Sequence, residues 1–331
     1  MGKIEKMTKK DVRAGIIGLG IPVVTLDDKR SKTNWFETDF FTVDWVLGHG
    51  FPLGRIVEAF GEESSGKSLL CTIIAARVLK MGGVVVLFDK EKSFDPEFAK
   101  VNGLDSADSG FIYVDESDYC LEDIYRDIQA FTELVQKFDK PVIILWDSLE
   151  ATPSRRELEQ AKEGKFGSHE QGSHRAQVNS KSLRQVHSRL SDSNVGLFIV
   201  NQTRERVANP YGQKTITSGG KALRFYAAVR LFVKKEKIST NSNGQITGIT
   251  CTIESVKNKV AVPYRKMRYS VDFQKGFNDI GSLLAYATNN GLVIKGTGGW
   301  YKFGSHKFQG ENAGPEILAE LKSIIYKEIK S

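Results

Sequence analysis

The chain has 331 residues, 40% hydrophobic and 26% charged, a composition typical of a globular protein with one large core and one or two small additional units. No apolar run approaches the roughly 18 residues of a membrane-spanning helix, and the lysine-rich start lacks a signal-peptide core, so we expect a cytoplasmic protein without a membrane partner. The net charge of +7 is uneven, because residues 151–237 contain 17 Lys and Arg against 7 Asp and Glu; this excess suggests a polyanionic partner.

The first part of the chain, residues 1–40, is mixed and polar and predicts a small arm outside the core. With its one apolar stretch, Ala14–Leu26, it is either a helix-plus-strand arm that packs on a neighbour or merely a mobile terminus. The segment Thr42–Gly48 then predicts a short helix ahead of the first core strand. The three cysteines are isolated and lack metal-ligand spacing, so we expect them to be small core residues of a reduced protein.

The most specific motif lies at residues 61–68 and matches the phosphate-binding pattern G-x-x-x-x-G-K-[ST] at every position. It follows an apolar strand, Ile56–Phe60, and opens an apolar-periodic helix, Ser68–Lys80. This order lets backbone N–H groups point at a phosphate at the head of the helix dipole. Lys67 is expected to hold the β- and γ-phosphates of ATP, and the Ser68 hydroxyl to bind Mg²⁺. The loop residues are Gly61, Glu62, Glu63, Ser64, Ser65, Gly66, Lys67 and Ser68.

Downstream of this loop, near-continuous apolar strands alternate with helical segments, a pattern typical of a parallel sheet covered by helices on both faces. Three later apolar segments, Tyr226–Lys235, Ile246–Lys257 and Arg268–Phe273, have no helix between them and predict an antiparallel extension of the sheet. The predicted parallel strands are Ile56–Phe60, Val84–Asp89, Phe111–Val114, Val142–Asp147 and Gly196–Gln202, and the predicted helices are Ser68–Lys80, Asp95–Val101, Leu121–Phe138 and Arg175–Leu190.

The end of the chain predicts a small α+β unit. It has a helix at Ser282–Asn290, a glycine-rich turn at Gly296–Gly299, a hairpin through Trp300–Phe308 and a last helix at Pro315–Lys330. The sequence therefore predicts an α/β protein in three parts. These parts are an N-terminal arm at 1–40, an ATPase core at 41–277 and a small C-terminal domain at 278–331.

Two of the predicted strands end in carboxylates. Asp147 ends an apolar strand, and beside a phosphate loop such an aspartate is expected to hold Mg²⁺, usually through water. Glu91 follows the strand that ends at Asp89, where it could accept a proton from the water that attacks the γ-phosphate. From spacing alone, a solvated loop acid between two lysines explains Glu91 equally well.

These stretches together resemble the RecA-type recombination ATPases of bacteria and phages, over about residues 40–310. The resemblance implies a RecA-type P-loop core. Two blocks, Gly219–Leu231 and Lys257–Pro263, separate that family from general phosphate-loop ATPases. The stretches that carry the resemblance are Leu53–Glu58, the phosphate loop, Phe88–Glu91, Phe94–Pro96, Val142–Ser148, Thr152–Pro153, Phe198–Gln202, Gly219–Leu231, Val256–Pro263 and Gly298–Tyr301.

The resemblance implies roles for individual residues of the ATP site. Glu91 falls on the glutamate that activates water, and Gln202 on the residue that senses the γ-phosphate. Asp95 and Phe98 fall where the family contacts and stacks on adenine; phenylalanine replaces the usual tyrosine there and keeps the ring.

The resemblance also implies an active site shared between subunits. Lys257 and Lys259 fall on two lysines that reach the γ-phosphate of the adjacent subunit, in the manner of arginine fingers. Phe225 falls on an interface aromatic that is tied to this coupling. Hydrolysis would then require a filament.

Two basic stretches without a regular period, Arg155–Arg175 and Thr203–Lys221, match the family's mobile DNA-binding loops. The first loop departs from the family pattern, because it is basic and lacks Met. The acidic tail common in bacterial members is also absent, since the sequence ends Lys327-Glu328-Ile329-Lys330-Ser331. The residues expected to contact DNA are Arg175, Arg204, Arg206, Val207, Gly219 and Gly220.

We therefore expect an ATP- and Mg²⁺-dependent recombinase that forms filaments on single-stranded DNA and exchanges strands with homologous duplex DNA. Single-strand-binding and mediator proteins are possible further partners. One alternative is a RecA-core ring helicase or motor, which the Gly219–Leu231 block disfavours. A second is a non-catalytic single-stranded-DNA-binding protein with this fold, which the presence of Lys67, Ser68, Glu91 and Asp147 disfavours.

Replacing Arg206 tests the second basic loop. Arg206→Ala is expected to weaken binding to single-stranded DNA and to reduce the slope of log affinity against log salt by roughly one unit, because one phosphate contact is lost. A salt titration of binding to a labelled oligonucleotide measures both quantities. A drop in affinity with an unchanged slope would mean that Arg206 acts through loop structure.

Overall fold

The computed structural model describes residues 8–19, 33–115, 118–164, 169–205, 215–217 and 221–330. The chain divides into two units, residues 1–34 and residues 35–331. In the first unit, helix α1 spans Lys9–Gly18 and begins where the Thr8 hydroxyl and the Asp11 carboxylate exchange hydrogen bonds with each other's backbone N–H groups. The arm therefore contains a helix, as the first of the two interpretations expects, whereas the strand of that interpretation lies outside the described residues and the contact with a neighbour stays a prediction.

The second unit contains the strands and helices of the predicted core. Its strands are β1 (Trp35–Phe36), β2 (Phe51–Pro52), β3 (Ile56–Gly61), β4 (Val84–Asp89), β5 (Phe111–Val114), β6 (Val142–Asp147), β7 (Val195–Glu205), β8 (Thr215–Thr217), β9 (Val229–Thr240), β10 (Ile246–Asn258), β11 (Lys266–Asp272), β12 (Gly276–Asn278), β13 (Ile294–Lys295), β14 (Trp300–Phe303) and β15 (His306–Gln309). Its helices are α2 (Phe41–Leu47), α3 (Lys67–Lys80), α4 (Pro96–Val101), α5 (Leu121–Leu134), α6 (Arg155–Lys162), α7 (His169–Leu190), α8 (Ala222–Tyr226), α9 (Ile280–Asn289) and α10 (Pro315–Lys330), with a 3₁₀ turn at Thr297–Gly299.

Ten of the described strands form one sheet, in the order β12-β11-β10-β9-β3-β7-β6-β4-β5, with β8 paired to β7. The strands from β9 to β5 run parallel to their neighbours, and β10, β11 and β12 extend the sheet in antiparallel pairs. The predicted α/β fold, with a mostly parallel sheet and an antiparallel extension, is confirmed. Because β3, β4, β6 and β7 are parallel, their carboxyl ends lie at one edge of the sheet.

Alternation along the parallel strands divides the core into two layers. On one face, Ile143 and Leu145 of β6 belong to a core that also contains the apolar side of α3. On the other face, Ile144 and Trp146 belong to a core that contains α5 and α7. Both faces are therefore apolar, which explains why the predicted parallel strands are near-continuous apolar runs.

The prediction that Arg155–Arg175 is an irregular loop is wrong for most of its length. Residues 155–162 form α6, and α7 begins at His169. The start of α6 is a capping box: the Ser154 hydroxyl accepts from the Glu157 N–H at 3.4 Å, and the Glu157 carboxylate accepts from the Ser154 N–H at 2.6 Å. The S-x-x-E pattern at 154–157 carried this signal, but the density of charge in the segment hid its helical period.

Three further boundaries differ from the prediction. Tyr226 is the last residue of α8 and not the first of a strand, and β9 begins at Val229. Strand β7 continues to Glu205, so the first residues assigned to the second basic loop are on a strand that pairs with β8. Helix α5 ends at Leu134 and not at Phe138, and its last fully buried residue is Thr132.

The C-terminal segment packs its helices α9 and α10 and the sheet β13-β14-β15 around a separate apolar cluster, which Phe41 of α2 joins. The predicted small α+β unit is confirmed in its elements, whereas its boundary at residue 278 stays a prediction. None of the helices in the described ranges is long and apolar enough to span a bilayer.

Asp44 of α2 is a buried carboxylate where α2 meets α10. Its Oδ1 accepts hydrogen bonds from the N–H and the hydroxyl of Thr38, both at 2.8 Å, and its Oδ2 accepts one from the Tyr326 hydroxyl at 2.6 Å. Burial raises the pKa of Asp44 to about 7, although these hydrogen bonds oppose the rise.

Replacing Asp44 by Asn is expected to change how the free energy of unfolding depends on pH. The folded-state pKa of Asp44 lies above its unfolded value, so its protonated form stabilises the protein below about pH 4, and this contribution is lost as the pH rises through 7. A shift of about three pKa units corresponds to about 4 kcal/mol. Relative to Asp44→Asn, the wild-type protein should lose up to this amount between pH 4 and 7.5 in urea unfolding. Parallel curves for the two proteins would contradict the assignment.

Candidate active site

The phosphate loop connects the carboxyl end of β3 to the start of α3 and approaches its surroundings closely. Gly66 has φ of +90°, and a Cβ there would lie 2.9 Å from the Tyr269 hydroxyl of β11. A Cβ on Gly61 would lie 2.0 Å from the carbonyl oxygen of Val233. Since the first N–H groups of an α-helix have no acceptor within the helix, those of α3 are available to a phosphate.

The Lys67 side chain is hydrogen-bonded to the phosphate loop itself. Its Nζ donates to the carbonyl oxygens of Gly61 at 3.1 Å and Glu62 at 2.5 Å, and it lies 3.5 Å from the Ser65 hydroxyl. Burial lowers the pKa of Lys67, and the negative charges of Asp147 and Glu91 oppose that fall. A buried cation held by neutral carbonyl oxygens has no full countercharge at bonding distance, and phosphate oxygens would provide one.

Asp147, at the end of β6, fits a site for Mg²⁺ together with Ser68. Its carboxylate is buried, and its Oδ1 has no hydrogen-bond partner among the described residues. Burial raises the pKa of Asp147 to about 6, and a hydrogen bond from the Ser68 side chain opposes the rise. A buried carboxylate oxygen without a donor is costly in isolation, whereas a hard cation with oxygen ligands would satisfy it. The residues present therefore fit the ion.

Glu91 is exposed and is oriented from two sides. Its Oε1 accepts hydrogen bonds from the hydroxyl of Ser148 at 2.5 Å and from the side-chain amide of Gln202 at 3.0 Å. Its other oxygen, Oε2, has no hydrogen-bond partner in the described part of the chain. The structure thus brings together the strand ends of β4, β6 and β7 around one carboxylate, whose Oε2 can accept a proton.

The segment that carries Glu91 is anchored by Asp89, for which the sequence indicated no such role. The buried Asp89 carboxylate accepts hydrogen bonds from the backbone N–H groups of Ser93 at 3.3 Å and Phe94 at 2.9 Å, and from the Tyr113 hydroxyl at 3.1 Å. Burial, together with the Asp89 charge, raises the pKa of Tyr113 to about 12, so the hydroxyl stays a donor. Asp89 therefore fixes the loop between β4 and α4.

A cavity of about 650 Å³ opens over the phosphate loop. Residues 63–69 of the loop and α3 line it, together with Glu91, Asp147 and Gln202. Residues of the antiparallel extension and the turn after β11, among them Ile249, Val271 and Phe273, also line it. Among the described residues, the aromatic rings of Phe98 and Phe273 line this cavity, and only Phe98 was expected from the sequence.

Asp95 lies beside this cavity and caps α4. Its Oδ1 accepts from the N–H groups of Glu97 at 2.9 Å and Phe98 at 3.1 Å. It lines a smaller cavity of about 100 Å³ that shares Ser68, Phe98 and Asp147 with the larger one. The predicted contact of Asp95 with adenine stays a prediction, and the second carboxylate oxygen is the atom suited to it.

Lys257 and Lys259 do not line this cavity of their own chain, as far as the described lining residues go. Their Nζ atoms donate to backbone carbonyls of α8: Lys257 to Arg224 at 2.6 Å and Phe225 at 3.0 Å, and Lys259 to Phe225 at 3.2 Å. Burial and the neighbouring Lys259 charge lower the pKa of Lys257 to about 8. The side chain of Phe225 is 67% exposed, so the two lysines and this aromatic ring form one surface.

Of the predicted DNA contacts, Arg175 is the one whose side chain is described. Its guanidinium donates to the carbonyl oxygens of Leu149 and Glu150, both at 3.1 Å, and lies 3.8 Å from the Glu157 carboxylate. These bonds fix the turn after β6, and a DNA contact by Arg175 stays a prediction. Arg204 is on β7, and its side chain is outside the description. Arg206, Val207, Gly219 and Gly220 lie outside the described residues.

Residues 5–278 match the family described as the RecA N-terminal domain. The chain is 32% identical to Protein RecA of Crocosphaera subtropica, over 90% of this chain and 82% of that protein. It is 33% identical to Protein RecA of Thermus aquaticus, over 87% of this chain and 81% of that protein. Protein RecA of Gloeothece citriformis is 30% identical, over 92% of this chain and 83% of that protein.

Replacing Gly66 by Ala is expected to lower nucleotide affinity at least ~10-fold. The new Cβ would meet the Tyr269 hydroxyl, and a left-handed conformation costs an alanine roughly 1–2 kcal/mol. Gly82→Ala is the control, because Gly82 also has positive φ but nothing within 4 Å of its Cβ position. Adding Tyr269→Phe to Gly66→Ala should restore part of the affinity for a fluorescent ATP analogue. Unchanged affinity of Gly66→Ala would contradict the close approach.

Proposed function

The chain belongs to the RecA family, and from this membership and the geometry of the site we propose that it is a DNA-dependent ATPase that catalyses homologous strand exchange. The observation that carries the proposal is the shared cavity. Glu91, Asp147, Gln202 and the phosphate loop all line it, although they belong to four different strands or to the segments that follow them. This set contains the groups that phosphoryl transfer to water needs: a phosphate clamp, cation ligands and a base.

ATP would lie with its phosphates over the phosphate loop and its base between the aromatic residues of the cavity. Lys67 would exchange its carbonyl acceptors for phosphate oxygens, which strengthens its hydrogen bonds because both partners are charged. Ser68 and Asp147 would hold Mg²⁺, and the bound ion would neutralise charge on the phosphate oxygens. Asp95 and Phe98 would contact adenine, with Phe273 as a further apolar contact.

Glu91 would accept the proton of the attacking water at Oε2. Ser148 and Gln202 both bind Oε1, so they keep this carboxylate from rotating and leave the second oxygen for the water. If the Gln202 amide turned to a γ-phosphate, Ser148 would remain as the donor to Glu91 Oε1. The Gln202 side chain would therefore sense the phosphate and, in the same movement, give up its hydrogen bond to the base Glu91.

Filament formation would complete the site. Lys257 and Lys259 would leave the carbonyls of α8 for the γ-phosphate of a neighbouring subunit, and the exposed Phe225 would be covered by that neighbour. The second basic loop, between β7 and α8, would bind single-stranded DNA with Arg204, Arg206, Val207, Gly219 and Gly220, and then homologous duplex. We place this activity in the cytoplasm, where ATP and the DNA are found.

Neither alternative is favoured. The curated relatives named above are RecA proteins and not helicases. A non-catalytic binding protein has no use for Glu91, which two side chains orient beside the phosphate loop. Single-strand-binding and mediator proteins stay possible partners.

Glu91→Gln is expected to keep ATP and DNA binding while lowering turnover about 10²–10⁴-fold, the usual contribution of a positioned base. The amide can still accept from Ser148, but it cannot accept a proton from water. Phosphate release in the presence of single-stranded DNA measures the effect. Glu97→Gln, an exposed acid on α4, is the control and should turn over normally. Near-normal turnover of Glu91→Gln would remove Glu91 from the role of base.

Mixing two inactive variants tests the shared active site. Lys257→Ala/Lys259→Ala keeps its phosphate loop, and Lys67→Ala keeps its two lysines. If the lysines act on the neighbour, about one interface in four of an equal, random mixture pairs both intact halves. DNA-dependent turnover should then recover to roughly a quarter of wild type or less.

A matched mixture of Lys67→Ala with Glu91→Gln controls for this result, because both changes damage the same half of the site. It should remain inactive, since no interface in it has an intact phosphate loop and base together. Lysines that act within their own chain would leave the first mixture inactive as well, and this outcome would overturn the shared site.

A further inference from the structure

A buried ion pair lies in the middle of the sheet and involves β3, the strand that leads into the phosphate loop. Glu58 of β3 is fully buried, and Arg230 of the adjacent strand β9 is 7% exposed. The two residues are register partners, and the Arg230 Nε donates to Glu58 Oε2. The Arg230 guanidinium carbon also lies 4.3 Å from the centre of the Phe60 ring. The proposed chemistry uses neither residue.

Each member of this pair has a second polar partner, and the two partners lie in different functional segments. Glu58 Oε1 accepts from the side-chain amide of Asn201 at 3.1 Å. Arg230 Nη2 donates to the hydroxyl of Thr217 at 3.4 Å. Asn201 precedes Gln202 on β7, whereas Thr217 is on β8, inside the second basic loop.

The Asn201 side is joined directly to the nucleotide site. The Oδ1 of Asn201 accepts the backbone N–H of Gln202 at 3.0 Å, and the Gln202 side chain binds Glu91. The Asn201 side chain therefore binds both the backbone of the residue proposed to sense the phosphate and the buried Glu58. Buried charges lose much of their stabilisation when a hydrogen bond is broken, so the pair resists gradual displacement and favours discrete arrangements.

The Thr217 side fixes β8 to the central sheet. Within the described residues, the backbone of β8 pairs with β7, and Thr217 lies opposite Thr203. The hydrogen bond between Thr217 and Arg230 is a second attachment, which joins β8 to β9, two strands from β7 in the sheet. Arg230 is also the register partner of Lys257, so the same guanidinium lies beside the proposed trans-acting lysine.

We propose that the Glu58–Arg230 pair is a positioning element that links the nucleotide-sensing end of β7 to β8 of the DNA-binding loop. The roles of Gln202 in nucleotide sensing and of β8 in DNA binding rest on the proposed function. The physical connection between them rests on the hydrogen bonds described above. According to this proposal, a nucleotide bound at Gln202 sets the position of Asn201, and the Glu58–Arg230 pair shifts with Asn201. Thr217, which binds Arg230, then transmits the shift to the loop that binds single-stranded DNA.

Thr217→Val is the decisive variant, because it removes one hydroxyl at nearly constant shape and leaves the ion pair in place. Glu58→Gln or Arg230→Gln would leave a buried group unpaired and could prevent folding. Thr217→Ser is the matched control, since it keeps the acceptor for Arg230. The probe is a non-hydrolysable ATP analogue with Mg²⁺, at a concentration that saturates each protein.

Amide hydrogen exchange over residues 215–217, without DNA, tests the link itself. In wild type and in Thr217→Ser, the analogue should slow exchange of β8, and in Thr217→Val this protection should fall at least ~5-fold, the lower end of typical coupling factors. Equal protection in Thr217→Val, or no protection of β8 in wild type, would overturn the proposal.

Affinity for single-stranded DNA, with and without the analogue, tests the consequence. The ratio of the two dissociation constants should fall at least ~5-fold in Thr217→Val and stay unchanged in Thr217→Ser. An unchanged ratio in Thr217→Val would overturn the proposed transmission to DNA. Wild-type protein that hydrolyses no ATP and binds no DNA would instead overturn the recombinase proposal, and the exchange experiment would still decide the link.

Discussion

The parallel alignment of β3, β7, β6 and β4 is the constraint on which the site depends. Parallel strands end at the same edge of the sheet, so the phosphate loop, Glu91, Asp147 and Gln202 meet there. They do so although some 140 residues of chain separate the phosphate loop from Gln202. No single segment of the chain carries all the groups that ATP binding requires. The apolar layers on both faces keep the strands in register, and this fixes the spacing of the polar groups that follow them.

The parallel strands were predictable because burial on both faces gives a long apolar run with a sharp end. Val84–Asp89, Phe111–Val114 and Val142–Asp147 have the predicted bounds to the residue. The phosphate loop was predictable for a different reason, because its two glycines stand at fixed positions in the motif. The structure explains both glycines, since a Cβ at Gly61 would collide with Val233 and one at Gly66 with Tyr269. The helix α6 was missed because a charged helix with no buried residue has no apolar period to detect.

Contacts between distant segments could not be predicted in the same way. Phe273 and Tyr269 reach the cavity and the phosphate loop from the antiparallel extension, and nothing near them in sequence indicates a nucleotide. Asp89 ends a strand as Asp147 does, yet it binds the backbone of the next loop. The sequence supplies two similar carboxylates at neighbouring strand ends, and their different roles depend on the donors that the folded chain brings to each.

Hydrogen-bond satisfaction separates those roles in physical terms. Asp44, Glu58 and Asp89 are buried, and donors of the same chain meet both oxygens of each, so each is complete without a ligand. Asp147 is equally buried, but its Oδ1 has no donor among the described residues, and Lys67 is held by neutral carbonyls across the cavity. A buried carboxylate oxygen without a donor and a buried cation without a bonded countercharge both cost free energy, which binding of a suitable ligand would recover. Asp147 and Lys67 have opposite charges and line one cavity, so a ligand that complements both must present anionic oxygens to the lysine and a cation to the aspartate. A nucleoside triphosphate with its divalent ion has this distribution of charge.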